Sequence, residues 1–278
     1  MTVPSQPEIP PPSPDDVLFH ERDGIGWITL NRPVVLNAID WSIRRRLMAA
    51  LEEAGRNEAV HAVILHGAGR AFCSGGDLQS RPPEDGQPTP SAMAIFLAIW
   101  ELPKPVIAAV HGYAVGQGCE LAGVCDLTIA ADDARFGEIQ IRHGFGPPLL
   151  ITPYLLGMKQ AKELLLLGEM IDAETARRIG LVNRVVPAAR LLDEAESVAR
   201  KLAALPPKAV RLNKLLVNRA YELAGIRQAF AYRDDPVVRA FQEAQPGSDG
   251  LNEHLRILRE QGWEAFRASR DALYRDPH

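Results

Sequence analysis

Three cysteines among 278 residues, Cys73, Cys119 and Cys125, do not make a disulfide framework: the count is odd and no spacing pairs them. Nor do Cys, His and carboxylates fall at metal-ligand spacing. Apolar runs such as Pro105–Val110 are far too short to span a bilayer. The N-terminus has no basic segment followed by an apolar stretch, so no secretory leader is expected. Basic residues are not in excess either. Lys and Arg number 31 against 35 Asp and Glu, a formal charge of −4, which argues against nucleic acid as the main partner. An anionic ligand must then be met by local positive groups or by backbone N–H groups. The simplest setting is a reducing, soluble one, the cytoplasm, with no membrane partner.

What the chain does have is a core. Hydrophobic residues make up 46% and charged residues 24%, ordinary for a globular protein. Residues 1–15 carry Pro4, Pro7, Pro10, Pro11, Pro12 and Pro14. Each fixes φ and lacks an N–H, so this stretch reads as a disordered tail. Structure is expected from about Val17. Ile25–Leu30, Val60–Leu65, Val106–Val110 and Leu127–Ala130 read as short strands. Ile43, Leu47, Leu51 and Ala54 fall on one helical face, and Ala92–Trp100 and Gly118–Val124 read as helices. Strands alternating with helices argue for an α/β fold with parallel pairing. After about Leu191 the pattern is helical only: Leu191, Ala195, Val198 and Leu202 mark one amphipathic helix, and Leu212, Leu215, Leu216 and Ala220 another. The division expected is a β/α core over 16–195 and a helical region over 196–278, whose apolar faces need the core or another subunit.

Two glycine turns stand out. Gly69 to Leu78 contains Ser74-Gly75-Gly76-Asp77, and His111 to Ala122 contains Val115-Gly116-Gln117-Gly118. Glycine permits positive φ and close approach of a ligand to the backbone. The second turn opens a helix, whose free N–H groups and dipole favour negative charge. Two such turns at strand ends can aim two N–H groups at one oxygen, an oxyanion hole; glycines alone fit tight packing equally well. Neither turn has the Gly-x-Gly-x-x-Gly or Gly-Lys-Ser/Thr spacing of nucleotide loops. Ser74 is not in a nucleophile elbow with an orienting His and Asp, which sets a serine hydrolase aside.

Several blocks in order decide between these readings. They are Leu30-Asn31-Arg32-Pro33 with Asn37-Ala38, Ala71 to Leu78, Lys104 to Ala122, Cys125-Asp126, Ala134 to Gly137, and Gly180 to Val186. Across about residues 16–270 the chain resembles the enoyl-CoA hydratase/isomerase (crotonase) superfamily. The resemblance implies a spiral of β-β-α turns with a C-terminal helical trimerisation region, giving a homotrimer or a dimer of trimers. It implies an acyl-CoA thioester as ligand and no cofactor beyond that thioester. The thioester oxygen would take N–H bonds from Gly76 and Gln117. Arg32, Ser74, Asp77 and Leu78 would lie by the coenzyme A moiety. Phe266 and Arg270 match a motif that adds to coenzyme A binding, although Ser269 replaces the usual Lys there.

The chain departs from that pattern at the second of two expected carboxylates. Glu120 matches the first. The second position is Gln140, and an amide neither takes nor gives a proton usefully near neutral pH, although it hydrogen-bonds a water. Glu138, two residues earlier, points to the same side if the segment is extended. Arg142 and His143 replace apolar residues, and His143 could act as an acid or base, although a lone His is more often structural. Pro147-Pro148-Leu149-Leu150 replaces a small, Gly-rich helix start and is expected to reshape the pocket wall. Gln117 replaces a Gly and adds a side chain. The activity expected is hydration of a 2-enoyl-CoA through a stabilised enolate, with Glu120 as acid/base and Gln140, with Glu138 or His143, holding the water. The alternatives are a single-base isomerase or acyl-CoA hydrolase, and a weakly catalytic acyl-CoA-binding protein.

Overall fold

A computed structural model describes residues 11, 13–78, 80, 83, 85–143, 146–232, 235–244 and 249–274. The proline-rich tail lies outside them, apart from residues 11 and 13–15. Order begins before Val17: Ser13 accepts from the Asp15 N–H while the Asp16 carboxylate accepts from the Ser13 N–H, closing a capping box on the turn Pro14–Asp16.

The main sheet has the order β1-β2-β3-β4-β6-β9. Its strands are β1 (Val17–Arg22), β2 (Ile25–Leu30), β3 (Ala62–Gly67), β4 (Val106–Val110), β6 (Leu127–Ala131) and β9 (Arg184–Val186). Only the β1–β2 pair is antiparallel. β1 is an exposed edge with a polar sequence, which hides it from apolar pattern. The inner strands are covered on both faces, and their side chains divide by parity. Ile28, Leu30, Val63, Leu65, Val106, Ala108 and Val110 face one core. Ile25, Trp27, Ala62, Ile64, Ile107, Ala109 and Ile129 face the other.

The first core is roofed by α1 (Trp41–Arg56), α2 (Ala92–Glu101) and α3 (Gln117–Val124). α1 starts where the Asp40 carboxylate caps the Ile43 N–H at 2.8 Å, and it buries Ile43, Leu47, Leu51 and Ala54, the face its spacing predicts. The second core is roofed by α7 (Leu191–Ala203), through Leu191, Ala195, Val198 and Ala199. The boundary expected at 195/196 therefore falls inside a helix that belongs to the core.

A second sheet joins β5 (Tyr113–Val115), β7 (Arg135–Gly137) and β8 (Met170–Asp172) in the order β5-β7-β8. Each passage through the large sheet is followed by a short excursion beside the small one: β4 leads to β5 and α3, and β6 leads to β7 and a 3-10 turn, Ile139–His143. After β3 the chain makes the same excursion, where Cys73 bridges to Ala114 of β5. This repeat is the β-β-α spiral the resemblance implies.

The remaining helices are α4 (Thr152–Leu155), α5 (Met158–Leu167), α6 (Ala173–Ile179), α8 (Pro207–Leu223), α9 (Ile226–Phe230), α10 (Pro236–Ala244) and α11 (Asp249–Arg270), the last broken at Gly262. α8 buries no residue fully, and Leu212, Leu215, Leu216 and Leu223 are exposed along it. Among the described residues no helix is long and apolar enough to cross a membrane.

Candidate active site

The loop after β2 braces the first glycine turn, which follows β3. Asn37 is fully buried. Its Oδ1 accepts from the Arg32 N–H at 2.8 Å, and its Nδ2 donates to the carbonyls of Ala71 at 2.7 Å and Ala68 at 3.0 Å. Through the turn, the N–H groups of Cys73, Ser74 and Asp77 donate to Tyr113, Leu36 and Ile39. That of Gly75 reaches the Cys73 sulfur at 3.4 Å. The Gly76 N–H takes part in none of these bonds, and Gly76 is exposed. Gly75 has φ +100°, and a Cβ there would stand 2.7 Å from the Val115 carbonyl, so the backbone conformation requires glycine.

The second turn runs from β5 into α3. The Gly116 N–H donates to Gly137. Gln117 is the first residue of α3, where backbone N–H groups have no partner inside the helix, and its N lies 3.6 Å from the place of a Cβ on Gly75. The two turns are thus in contact. The Gln117 carboxamide lies over Gly76, with Nε2 3.4 Å from the position of a Cβ there. The side chain that replaces a glycine therefore packs across the mouth of the turn.

Glu120 lies one turn into α3 and is 1% exposed. Its Oε1 accepts from the Leu149 N–H at 2.9 Å. Leu149 itself is fully buried, so the Pro147–Leu150 segment, expected to reshape the wall, also supplies a backbone donor that orients Glu120. The Tyr232 hydroxyl donates to the Pro147 carbonyl and ties this segment to the chain beyond α9. Gly144 and Phe145 lie outside the described residues.

Glu138 and Gln140 meet. The Gln140 Nε2 donates to the Glu138 Oε2 at 2.7 Å, and the Thr152 hydroxyl donates to Oε1 at 3.2 Å. The Cys119 thiol of α3 also bonds this carboxylate. Burial pushes the Glu138 carboxyl up to about 7 against the hydrogen bonds that favour its charge. Burial raises the Cys119 thiol as well, followed by the charges of Glu138 and Glu120. Gln140 packs against Gly116, with Cδ and Oε1 each 3.7 Å from the place of a Cβ. It therefore sits beside the second glycine turn.

Other expected residues have further partners. The His143 ring stacks on Phe266 at 5.5 Å. Phe266 is fully buried, with Trp263 on it at 5.1 Å and the Arg270 guanidinium 5.7 Å away. Arg142 donates to the Gly168 carbonyl at 2.7 Å, pairs with Asp271 at 3.1 Å and stacks on Tyr274. Arg142 and His143 therefore dock the C-terminal segment. Leu78 packs against the same cluster of Ile257, Leu258 and Phe266, so α11 folds over the first turn. Arg270 pairs with Asp271. Arg32 is turned inward: its guanidinium, 4% exposed, pairs with Asp40 at 2.9 Å and Asp77 at 3.6 Å. It braces the first turn. Ser74 donates to the Val35 carbonyl.

Sequence reasoning assigned no task to Asn37, Cys119, Thr152 or the Leu149 N–H. Asn37 and Cys119 carried a signal, as parts of the Asn37-Ala38 and Lys104 to Ala122 blocks. The others depend on contacts between distant segments.

The family profile described as Enoyl-CoA hydratase/isomerase matches residues 20–256. A probable enoyl-CoA hydratase of Rhizobium meliloti is 40% identical over 216 residues, covering 75% of this chain and 83% of that protein. A short-chain-enoyl-CoA hydratase of Clostridium acetobutylicum is 33% identical and covers 91% of this chain and 98% of its own length. The crystal structure of an enoyl-CoA hydratase/isomerase from Xanthobacter autotrophicus Py2 superposes with a TM-score of 0.84 at 36% identity, covering 94% of this chain and 99% of that one. Fold and site define an enzyme of the crotonase class. The chain belongs to the enoyl-CoA hydratase/isomerase family.

Proposed function

We propose that the protein adds water to a 2-enoyl-CoA thioester. One observation carries this reading: two touching turns each hold a backbone N–H that bonds to nothing among the described residues, with the buried carboxylate of Glu120 on the helix that the second turn opens. The thioester oxygen accepts from the Gly76 and Gln117 N–H groups. Glu120 takes a proton from water as the water oxygen bonds to C3. The C2=C3 electron pair moves to form the enolate, whose oxygen the two N–H groups stabilise. Glu120 then returns the proton to C2. Hydroxyl at C3 and hydrogen at C2 balance one water, and Glu120 ends as it began. Gln140 holds the water by a hydrogen bond and transfers no proton. Ser74 and Leu78, on the first turn, lie by the adenine. The thioester acidifies C2, so no further cofactor is required.

A single-base double-bond isomerase is the second reading, favoured by the amide at Gln140. Loss of the conjugated enoyl-thioester absorbance on mixing with crotonyl-CoA and longer 2-enoyl-CoA esters is the expected result. No loss, together with conversion of a 3-enoyl-CoA to the conjugated ester, decides for the isomerase.

The exposed leucines of α8 support burial against further copies of the chain, as a homotrimer or a dimer of trimers. Sedimentation at micromolar concentration is expected to give three or six chains; a monomer removes this part of the proposal.

A further inference from the structure

Resting on the hydratase reading, we infer that Glu138 is a positioning residue: its carboxylate fixes the Gln140 carboxamide with Nε2 turned to Glu138 and Oε1 turned to the water that adds to C3. The amide can be seated either way round, because its two ends have nearly the same shape. What selects one end is the partner. An ionised carboxylate only accepts, and the Gln140 Nε2 stands 2.7 Å from the Glu138 Oε2. The reverse seating would set oxygen against oxygen. The Gln140 Oε1 is then left buried with no hydrogen-bond partner among the described residues, and it lies against Gly116, next to the second N–H donor. A buried acceptor beside the reacting centre is suited to take one hydrogen of a water and to turn that water's lone pair outward. The water keeps its other hydrogen for Glu120.

Protonating Glu138 removes the selection. A carboxylic acid donates one hydrogen, the Gln140 oxygen can then turn toward Glu138, and the NH₂ comes round to the water, where it competes for the lone pair that must attack. The ionisable group facing Glu138 on α3 is Cys119, whose thiol burial keeps protonated, with Glu120 the next residue. From α4 it meets the uncharged Thr152 hydroxyl. The basic residues of the 3-10 turn that follows it, Arg142 and His143, are engaged with the C-terminal segment. The carboxyl titrates at about 7. Its ionised form gains as pH rises, so hydration is expected to climb through about pH 7 and level above it.

Glu138→Gln tests this without changing the shape. The Thr152 hydroxyl and the Cys119 thiol donate toward residue 138, so they hold the oxygen of the new amide. Its NH₂ then faces Gln140 and forces the Gln140 amide to reverse. Hydration by Glu138→Gln is expected to fall about 10²-fold, the scale of a misplaced reacting group, and to lose its rise through pH 7. Exchange of the C2 hydrogen of butyryl-CoA with solvent deuterium needs only Glu120 and the two N–H donors, and is expected to hold. In the double variant Glu138→Gln/Gln140→Glu the new carboxylate accepts from the amide at 138 and again presents an oxygen to the water, so hydration is expected to recover. Unchanged hydration and pH profile in Glu138→Gln would overturn the inference. So would hydration and exchange falling together, or no recovery in the double variant. If the native protein exchanges the C2 hydrogen but hydrates no 2-enoyl-CoA, the hydratase reading fails and the inference with it.

Discussion

Glu120→Gln is expected to lower kcat for hydration by about 10²–10⁴-fold, the usual contribution of a positioned acid/base, with KM changed little. The substitution keeps size and shape. The amide oxygen can still accept from the Leu149 N–H, which now meets Glu120 Oε1 at 2.9 Å, so the Pro147–Leu150 segment has no reason to move. The two proposed N–H donors belong to the backbone at Gly76 and Gln117 and are untouched, so the thioester is expected to be bound and polarised as before. Only the proton has nowhere to go. A general base in the other carboxylate position could compensate in part, but Gln140 cannot act as one, and both Glu138 oxygens already have partners. C2 hydrogen exchange with butyryl-CoA is therefore expected to fall alongside hydration. Steady-state kinetics beside a thermal melt decide the matter. A variant that melts as the native protein does and keeps its rate would mean that another group carries the proton.

How far the sequence reaches can be judged element by element. β2, β3, β4 and β6 are legible because they are inner strands, apolar on both faces, between turn residues. α1 is legible because its buried residues recur at helical spacing. β5, β7 and β8 have three residues each, too few for any periodicity, and β1 has one polar, exposed side along an edge. The glycine turns are visible as residues, but that they touch is a matter of β5 lying between them, through the bridge of Cys73 to Ala114. Glu138 and Gln140 were expected on one side of an extended segment. Glu138 instead follows β7 directly and Gln140 stands in the 3-10 turn, and they meet through a hydrogen bond. His143 is ambiguous in sequence because its partner, Phe266, lies more than a hundred residues away. Once α11 is folded back, the ring stacks on Phe266. Arg32 was expected by the coenzyme A moiety, and what the sequence does not show is that Asp40 and Asp77 enclose it.

Gly118→Ala is expected to lower kcat by about 10²–10³-fold, the loss associated with one oxyanion donor. It should also lower stability by about 1–3 kcal/mol through overpacking. Gly118 sits between Gln117, the proposed donor of one N–H, and Glu120, the proposed acid/base. A Cβ on it would stand 2.3 Å from the Cys73 carbonyl oxygen and 2.9 Å from the Cys73 Cβ. These are backbone atoms and a buried side chain, not the far end of a flexible one, so relief must come from separating the two turns. Cys73 cannot retreat freely, because its N–H and carbonyl are bonded to Tyr113 and Val115 on β5. α3 must therefore shift outward, taking the Gln117 N–H away from Gly76. Two donors that converge on one oxygen lose most of their effect when they no longer converge, since their value lies in being placed before charge develops. Binding depends on many contacts outside this pair, so KM should change less than kcat. Kinetics and a urea titration on the same sample separate the outcomes. A drop in stability with kcat intact would place the oxyanion site away from these turns, because the side chain that strains the contact would then leave the chemistry alone.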